Sequence, residues 1–123
     1  MPSKLRDAIL AVDDLPREAV FVPEWNMTVW VRSLTGHERD AYELSMIAIR
    51  GQGKQTSTET QPDDFRSKLV TLCLVDDDGV RLFDDGELDL VSSKSASAIA
   101  RLFEVAQRLN GLSNEDVADL TKN

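Results

Sequence analysis

The chain has 123 residues, 22 acids against 14 basic residues and a net charge of −8, with 41% hydrophobic and 29% charged residues. That is the balance of one small, acidic globular domain rather than of a disordered segment. It argues against a basic face for nucleic acid or anionic lipid. Cys73 is the only cysteine and His37 the only histidine. An intrachain disulfide, a cysteine-based zinc site and any centre needing two imidazoles are therefore excluded. No run approaches the roughly 18 apolar residues that span a bilayer, and the N-terminal residues lack a signal-peptide core. A soluble domain in a reducing, cytoplasmic setting is expected.

Ser3 is placed to cap a short helix whose apolar residues Leu5, Ala8, Ile9 and Val12 keep the spacing of one face, and Asp13-Asp14-Leu15-Pro16 ends it. The β-rich runs 19–22 and 27–32 flank Pro23-Glu24-Trp25-Asn26, which predicts an antiparallel hairpin. On its second strand Met27, Val29 and Val31 share a core face, and Thr28, Trp30 and Arg32 share the other. Thr35-Gly36-His37-Glu38 has the form of a capping box. The helix it opens has Ala41, Leu44 and Ala48 as its stripe, with Ile47 beside them, and runs to about Arg50. His37 falls in its first turn, as a solvated residue.

Residues 51–61 contain no apolar side chain and read as a mobile loop. Their glycines lack the G-x-x-x-x-G-K-[ST] spacing of a phosphate-binding loop. Pro62, Asp63 and Asp64 suit the start of a helix on which Phe65, Leu69, Leu72 and Cys73 share a stripe; the last residues of this apolar run, toward Val75, fit a strand equally well. Cys73, set in that run, reads as a packed residue rather than a nucleophile. Asp76-Asp77-Asp78-Gly79 signals a turn. Leu88, Leu90 and Val91 form a short apolar anchor, and Ser92 or Ser93 caps the strongest helix of the chain. That helix carries Ala96, Ile99, Ala100, Phe103, Ala106 and Leu109, its face widened by Leu102 and Val105. Asn110-Gly111 stops it, and Ser113-Asn114-Glu115-Asp116 opens a final short helix with Val117 and Leu120. The expected fold is α+β: one mainly helical domain over 1–123, with about four to five helices and an N-terminal antiparallel hairpin.

Site chemistry is sparse. Asp76, Asp78 and Gly79 match positions 3, 5 and 6 of a calcium-binding loop, but that frame puts Leu74 at the first ligand position and Asp85 at the last, so it fails. The other acids sit in a turn and at a helix start, without the companions of a carboxylate-based active site. No enzyme, metal or cofactor is expected. Residues 76–89 hold seven acids and only Arg81, which makes six of the eight net negative charges a local collar between apolar segments.

The order VPEWNMTVWVRSLTGHERD, a polar loop, an apolar segment running into LVDDDGVRLFDDGELDLV, a serine-capped helix, RLNGLSNEDV and a terminal KN resembles the tail assembly chaperones of long-tailed bacteriophages and prophages. The likeness covers roughly residues 5–123. The glycine of Asp84-Asp85-Gly86-Glu87 departs from it, since such sequences usually continue an acidic helix start there. The resemblance implies a non-catalytic assembly factor that holds the helix-rich tape measure protein in the host cytoplasm while the tail tube forms, and that is absent from the mature virion. It also implies recruitment of tail tube protein, in many systems through a C-terminal extension made by translational frameshift. Lys122-Asn123 fits this, because AAA AAC after a threonine codon ending in A makes a slippery heptamer.

A protein in that role needs apolar anchors for a helix. The candidates are Trp25 and Trp30, Phe65, Leu69 and Leu72 on one helix, and Ile99, Leu102, Phe103 and Leu109 on another, for the client or for self-association. For each of the helical residues core packing is the competing reading. An acidic DNA-mimic inhibitor and a small structural tail component are the alternative functions.

Overall fold

A computed structural model describes residues 3–51 and 64–112. Helix α1 (Lys4–Ala11) precedes a hairpin of β1 (Arg17–Val22) and β2 (Met27–Arg32), and α2 (Gly36–Gly51) follows. After residues 52–63 come α3 (Phe65–Cys73), β3 (Leu74–Val75), a 3₁₀ turn (Asp85–Glu87), α4 (Leu88–Ser92) and α5 (Ala96–Leu109). The fold is α+β, with five α-helices and one antiparallel sheet of order β1-β2-β3 among the described residues. The expected mobile loop at 51–61, apart from Gly51 at the end of α2, and the expected helix from Ser113 lie outside the described residues.

The hairpin forms as its alternation predicts. Val20 pairs with Val29 and Val22 with Met27, and the turn closes through Trp25 N to Val22 O at 3.0 Å, with Asn26 at φ 51°. Directly paired residues share a face. Val20, Val22, Val29 and Val31 therefore turn toward α5, while Ala19, Phe21, Thr28 and Trp30 turn outward. Two ion pairs fix α5 lengthwise along β1: Arg108 to Glu18 near the start of the strand, and Arg101 to Glu24 in the turn beyond its end.

Several boundaries differ from the sequence reading. The third strand takes only Leu74 and Val75, which leave α3 to pair with Val31 and Trp30. Asp64 adopts a left-handed backbone at φ 59°, so α3 begins at Phe65, one residue after Asp64; Pro62 and Asp63 lie outside the described residues. Ser92 closes α4 and Ser93 is its C-cap, so neither caps α5. That role falls to Ser95, whose Oγ accepts from Ala98 N at 3.3 Å. The extra helical turn around Leu88 arises because Asp84 and Glu87 form a reciprocal capping box, which restarts helical geometry before the serines. On α2 the buried positions are Tyr42 and Met46, whereas Leu44 is 64% exposed and Ala41 is also exposed. Ala41 and Leu44 are thus out of phase, because Tyr42 and Met46 face the core in their place; the side chains of Ile47 and Ala48 lie outside the described residues.

The termination at Asn110-Gly111 is more elaborate than a left-handed stop. Gly111 takes φ +68°, its N–H donates to Arg108 O, and Leu112 N donates to Gln107 O at 2.8 Å, a Schellman closure. Asn110 itself stays at φ −95° and works through its side chain. Its Oδ1 accepts from Leu34 N at 2.7 Å and its Nδ2 donates to Ala106 O, tying the end of α5 to the segment that joins β2 to α2.

Candidate functional site

Among the described residues, three surface depressions bring apolar side chains to solvent. The largest, about 670 Å³, is a groove between the turn end of the hairpin and α4. Trp25, Met27, Val29 and Leu74 line one side, and Leu82, Phe83, Leu90 and Val91 the other. Trp25 is half-buried and packs on the core, and its Nε1 is buried with no hydrogen-bond partner among the described residues. A pocket of about 190 Å³ lies between α2 and α3, with Leu72 beside Tyr42 and Leu88. A third, of about 480 Å³ and more polar, lies along α5, where Phe103 meets Arg66, Gln107 and Leu112.

The nine candidate anchors separate on this surface. Leu69 and Leu102 are fully buried, Ile99, Phe65 and Phe103 nearly so, and Phe65 and Phe103 meet edge to face at 5.6 Å. Leu72 and Leu109 are half-buried against the same core. All seven belong to one core or pack against it, where α3 and α5 meet, and Leu72 and Phe103 also reach surface pockets. The two tryptophans stand apart: Trp25 in the groove, Trp30 on the outward sheet face. Trp30 Nε1 donates to Asp77 Oδ1 at 2.8 Å, and the Arg17 guanidinium lies 5.3 Å from its ring centroid, so the indole is held from both sides. Phe21, on the same face, is 55% exposed.

Sequence reading passed over Phe21, Leu82, Phe83 and the groove they do or do not line. The signal for the groove was present, since Leu82 and Phe83 are apolar residues embedded in the acidic collar and Leu90 directly follows it. The collar itself is tightly folded. Asp76 Oδ1 accepts from Asp78 N and Val80 N, Gly79 takes φ +84° with Arg17 Nη1 only 2.9 Å from where a Cβ would stand, and Arg81 donates to Asp85 and to Thr71 O. The Asp76 carboxylate is thus spent on its own turn. Among the described residues no group of three or more His, Cys, Asp or Glu is arranged to hold a metal ion.

The profile of the phage tail assembly chaperone family matches residues 4–123, nearly the whole chain. The chain belongs to the phage tail assembly chaperone family. A search of curated protein sequences finds no match. Among solved structures, that of the bacteriophage HK97 tail assembly chaperone is similar at 18% identity. The likeness covers 87% of this chain and 98% of that one, with a TM-score of 0.59, which shows a shared fold. For a member of this family the surfaces that matter are those open to other proteins.

Cys73, in the core of this chaperone, is not one of them. Burial pushes its thiol up to about 12, against the opposing effects of Arg32 and the Asn110 hydrogen bond. A thiol so held is almost wholly protonated at neutral pH and inert. Labelling with a chromogenic disulfide should proceed only as fast as the protein opens and become rapid in urea. Prompt full labelling without denaturant would place Cys73 at an accessible surface instead.

Proposed function

We propose that this chaperone binds the helix-rich tape measure protein in the host cytoplasm, without catalysis, and keeps it soluble until the tail tube forms. In this reading it leaves before the virion is complete, and tail tube protein is recruited through a longer, frameshifted form. Membership of the family over residues 4–123 is the observation that carries the reading.

The outward face of the hairpin suits such a client. Ala19 and Thr28 are small and exposed, Phe21 supplies exposed apolar area, and Trp30 is an aromatic anchor already held by Arg17 and Asp77. An amphipathic helix laid on a sheet buries its stripe against such a face. Ordering the indole beforehand removes part of the entropic cost of binding. Co-expression with the tape measure protein should give a soluble complex that survives purification. Phe21→Asp should abolish that complex while the circular dichroism spectrum and melting temperature of the free chaperone stay unchanged. An insoluble tape measure protein in the presence of the wild-type chain, or a complex indifferent to Phe21→Asp, would overturn the proposal.

A further inference from the structure

Gln107 is only 6% exposed, and its Nε2 is buried with no hydrogen-bond partner among the described residues. It lines the depression along α5, where Ala100, Phe103 and Leu112 supply apolar surface and Arg66 of α3 supplies charge. The Arg66 guanidinium lies 4.6 Å from the Phe65 ring centroid and 5.7 Å from that of Phe103. Among the described residues it pairs with no carboxylate, whereas Arg101 and Arg108 of α5 are held by Glu24 and Glu18. A buried amide without an acceptor and a guanidinium without an anion, in one depression, fit an occupant that brings an acceptor, a carboxylate and an apolar face.

We propose that residues 113–120 of the same chain are that occupant, laid as a short helix antiparallel on α5. The end of α5 sets the route. Gly111 at φ +68° and the Leu112 N to Gln107 O bond close the helix and bring Leu112 into the depression, so Ser113 starts at its rim. The few residues between Leu109 and Asn114 make a connection of the length that joins antiparallel helices. Eight helical residues rise about 12 Å, enough to run back from the end of α5 to the level of Phe103 and Ala100.

The sequence of the segment matches the surface. Ser113 with Asp116 three residues on has the pattern of a helix start. Val117 and Leu120 then share one face, Asp116 flanks it, and Glu115 and Asp119 fall on the opposite side toward water. Charge selects the orientation: Asp116 goes toward Arg66 rather than toward the exposed Glu104. Gln107, bonded to Leu112, faces the start of the segment, where the side chains of Ser113 and Asn114 offer acceptors. Burial of Val117 and Leu120 supplies the attraction, and the ion pair supplies register more than energy. Phe103 and Ala100 are then covered by the chain itself, so this stretch of α5 is closed to other proteins, whatever the chaperone binds.

Nuclear Overhauser contacts from the Val117 and Leu120 methyls to the Phe103 ring test this on the full chain. An isotope filter on mixed labelled and unlabelled protein separates contacts within one molecule from those between two. The wild type should show them within one molecule, with slowed amide exchange at residues 117–120. Asp116→Lys and Val117→Asp should each lose both signals while the Trp30 indole resonance, on the far face of the sheet, stays in place and reports an intact fold. Arg66→Glu combined with Asp116→Lys should regain them, because the pair is restored with its signs exchanged. Unprotected amides at 117–120 in the wild type, contacts found only between molecules, an Asp116→Lys chain that keeps its contacts, or a folded double variant that stays undocked would each overturn the proposal.

Discussion

Glu38→Ala should cost this chaperone about 3 kcal/mol or more of folding stability, because it leaves the Arg32 guanidinium buried without its anion. The two side chains form a bidentate pair, both contacts at 2.9 Å, with only 8% and 15% of the respective side chains exposed. Glu38 Oε1 also accepts from Thr35 N at 3.0 Å while Glu38 N donates to Thr35 Oγ1, so the residue closes the capping box of α2. Losing that cap adds about 1 kcal/mol. Burial pushes the carboxyl up, but the Arg32 hydrogen bonds, the Thr35 N–H and the guanidinium charge together hold it below the usual carboxylate range. The sign follows from linkage. A group whose folded pKa is depressed stabilises the native state fully above its unfolded value, and loses that contribution as pH falls through the folded pKa. Wild-type stability should therefore drop below about pH 4, and Glu38→Gln should be less stable at neutral pH and show a shallower drop in that window. Glu18 and Glu24 are also lowered, by Arg108 and Arg101, but lie at the surface, where solvent screens them. Urea titrations at neutral and acidic pH decide the matter. Equal acid sensitivity in wild type and Glu38→Gln would show that the pair does not govern it.

How much of this was legible in the sequence depends on how local each cause is. The capping box at Thr35–Glu38, the hairpin and most of the stripe of α5 follow from spacing within a few residues and are present, although Met27 of the expected core face and Ala96 and Ala100 of the expected stripe are exposed. What lay beyond reach was set by distant partners. Arg32 was assigned to the outer face of β2, where a charged residue at a strand end ordinarily meets water, yet it is buried because Glu38 comes to it across a turn. Asn110 read as a stop signal, but its larger role is the bond to Leu34, 76 positions away. The phase of α2 failed for the same reason, since the face that is buried depends on what α3 presents to Tyr42. For the site, residue type showed which side chains were apolar but not which would be covered. The stripe of α1 and the stripe of α5 look alike in sequence, yet one is wholly exposed while Ile99, Phe103 and Ala106 of the other lie in the core.

That contrast makes the fate of Leu102 the sharpest test of the division between core and interface. Leu102 has no exposed surface, and it lies on the α5 face that meets α3, beside Phe103 and its edge-on contact with Phe65. Leu102→Ala should cost about 2–5 kcal/mol, because the transfer energy of the lost atoms is joined by that of a cavity the close-packed surroundings cannot fill. Against the roughly 5–15 kcal/mol that holds a small domain together, this lowers the melting temperature by at least about 6 °C, and on the proposed function it should abolish client binding only by unfolding the chain. Phe21→Asp should stay within about 0.5 kcal/mol of wild type and act on the proposed client alone. The two variants therefore separate two readings of the same apolar residues. If Leu102 is core, its loss moves the denaturation midpoint in urea first and binding in proportion to the unfolded fraction. If instead Leu102→Ala kept its midpoint within about 1 kcal/mol of wild type and lost the client, α5 would be a binding helix whose packing on α3 is exchangeable, and the client would enter between α3 and α5 rather than lie on the hairpin.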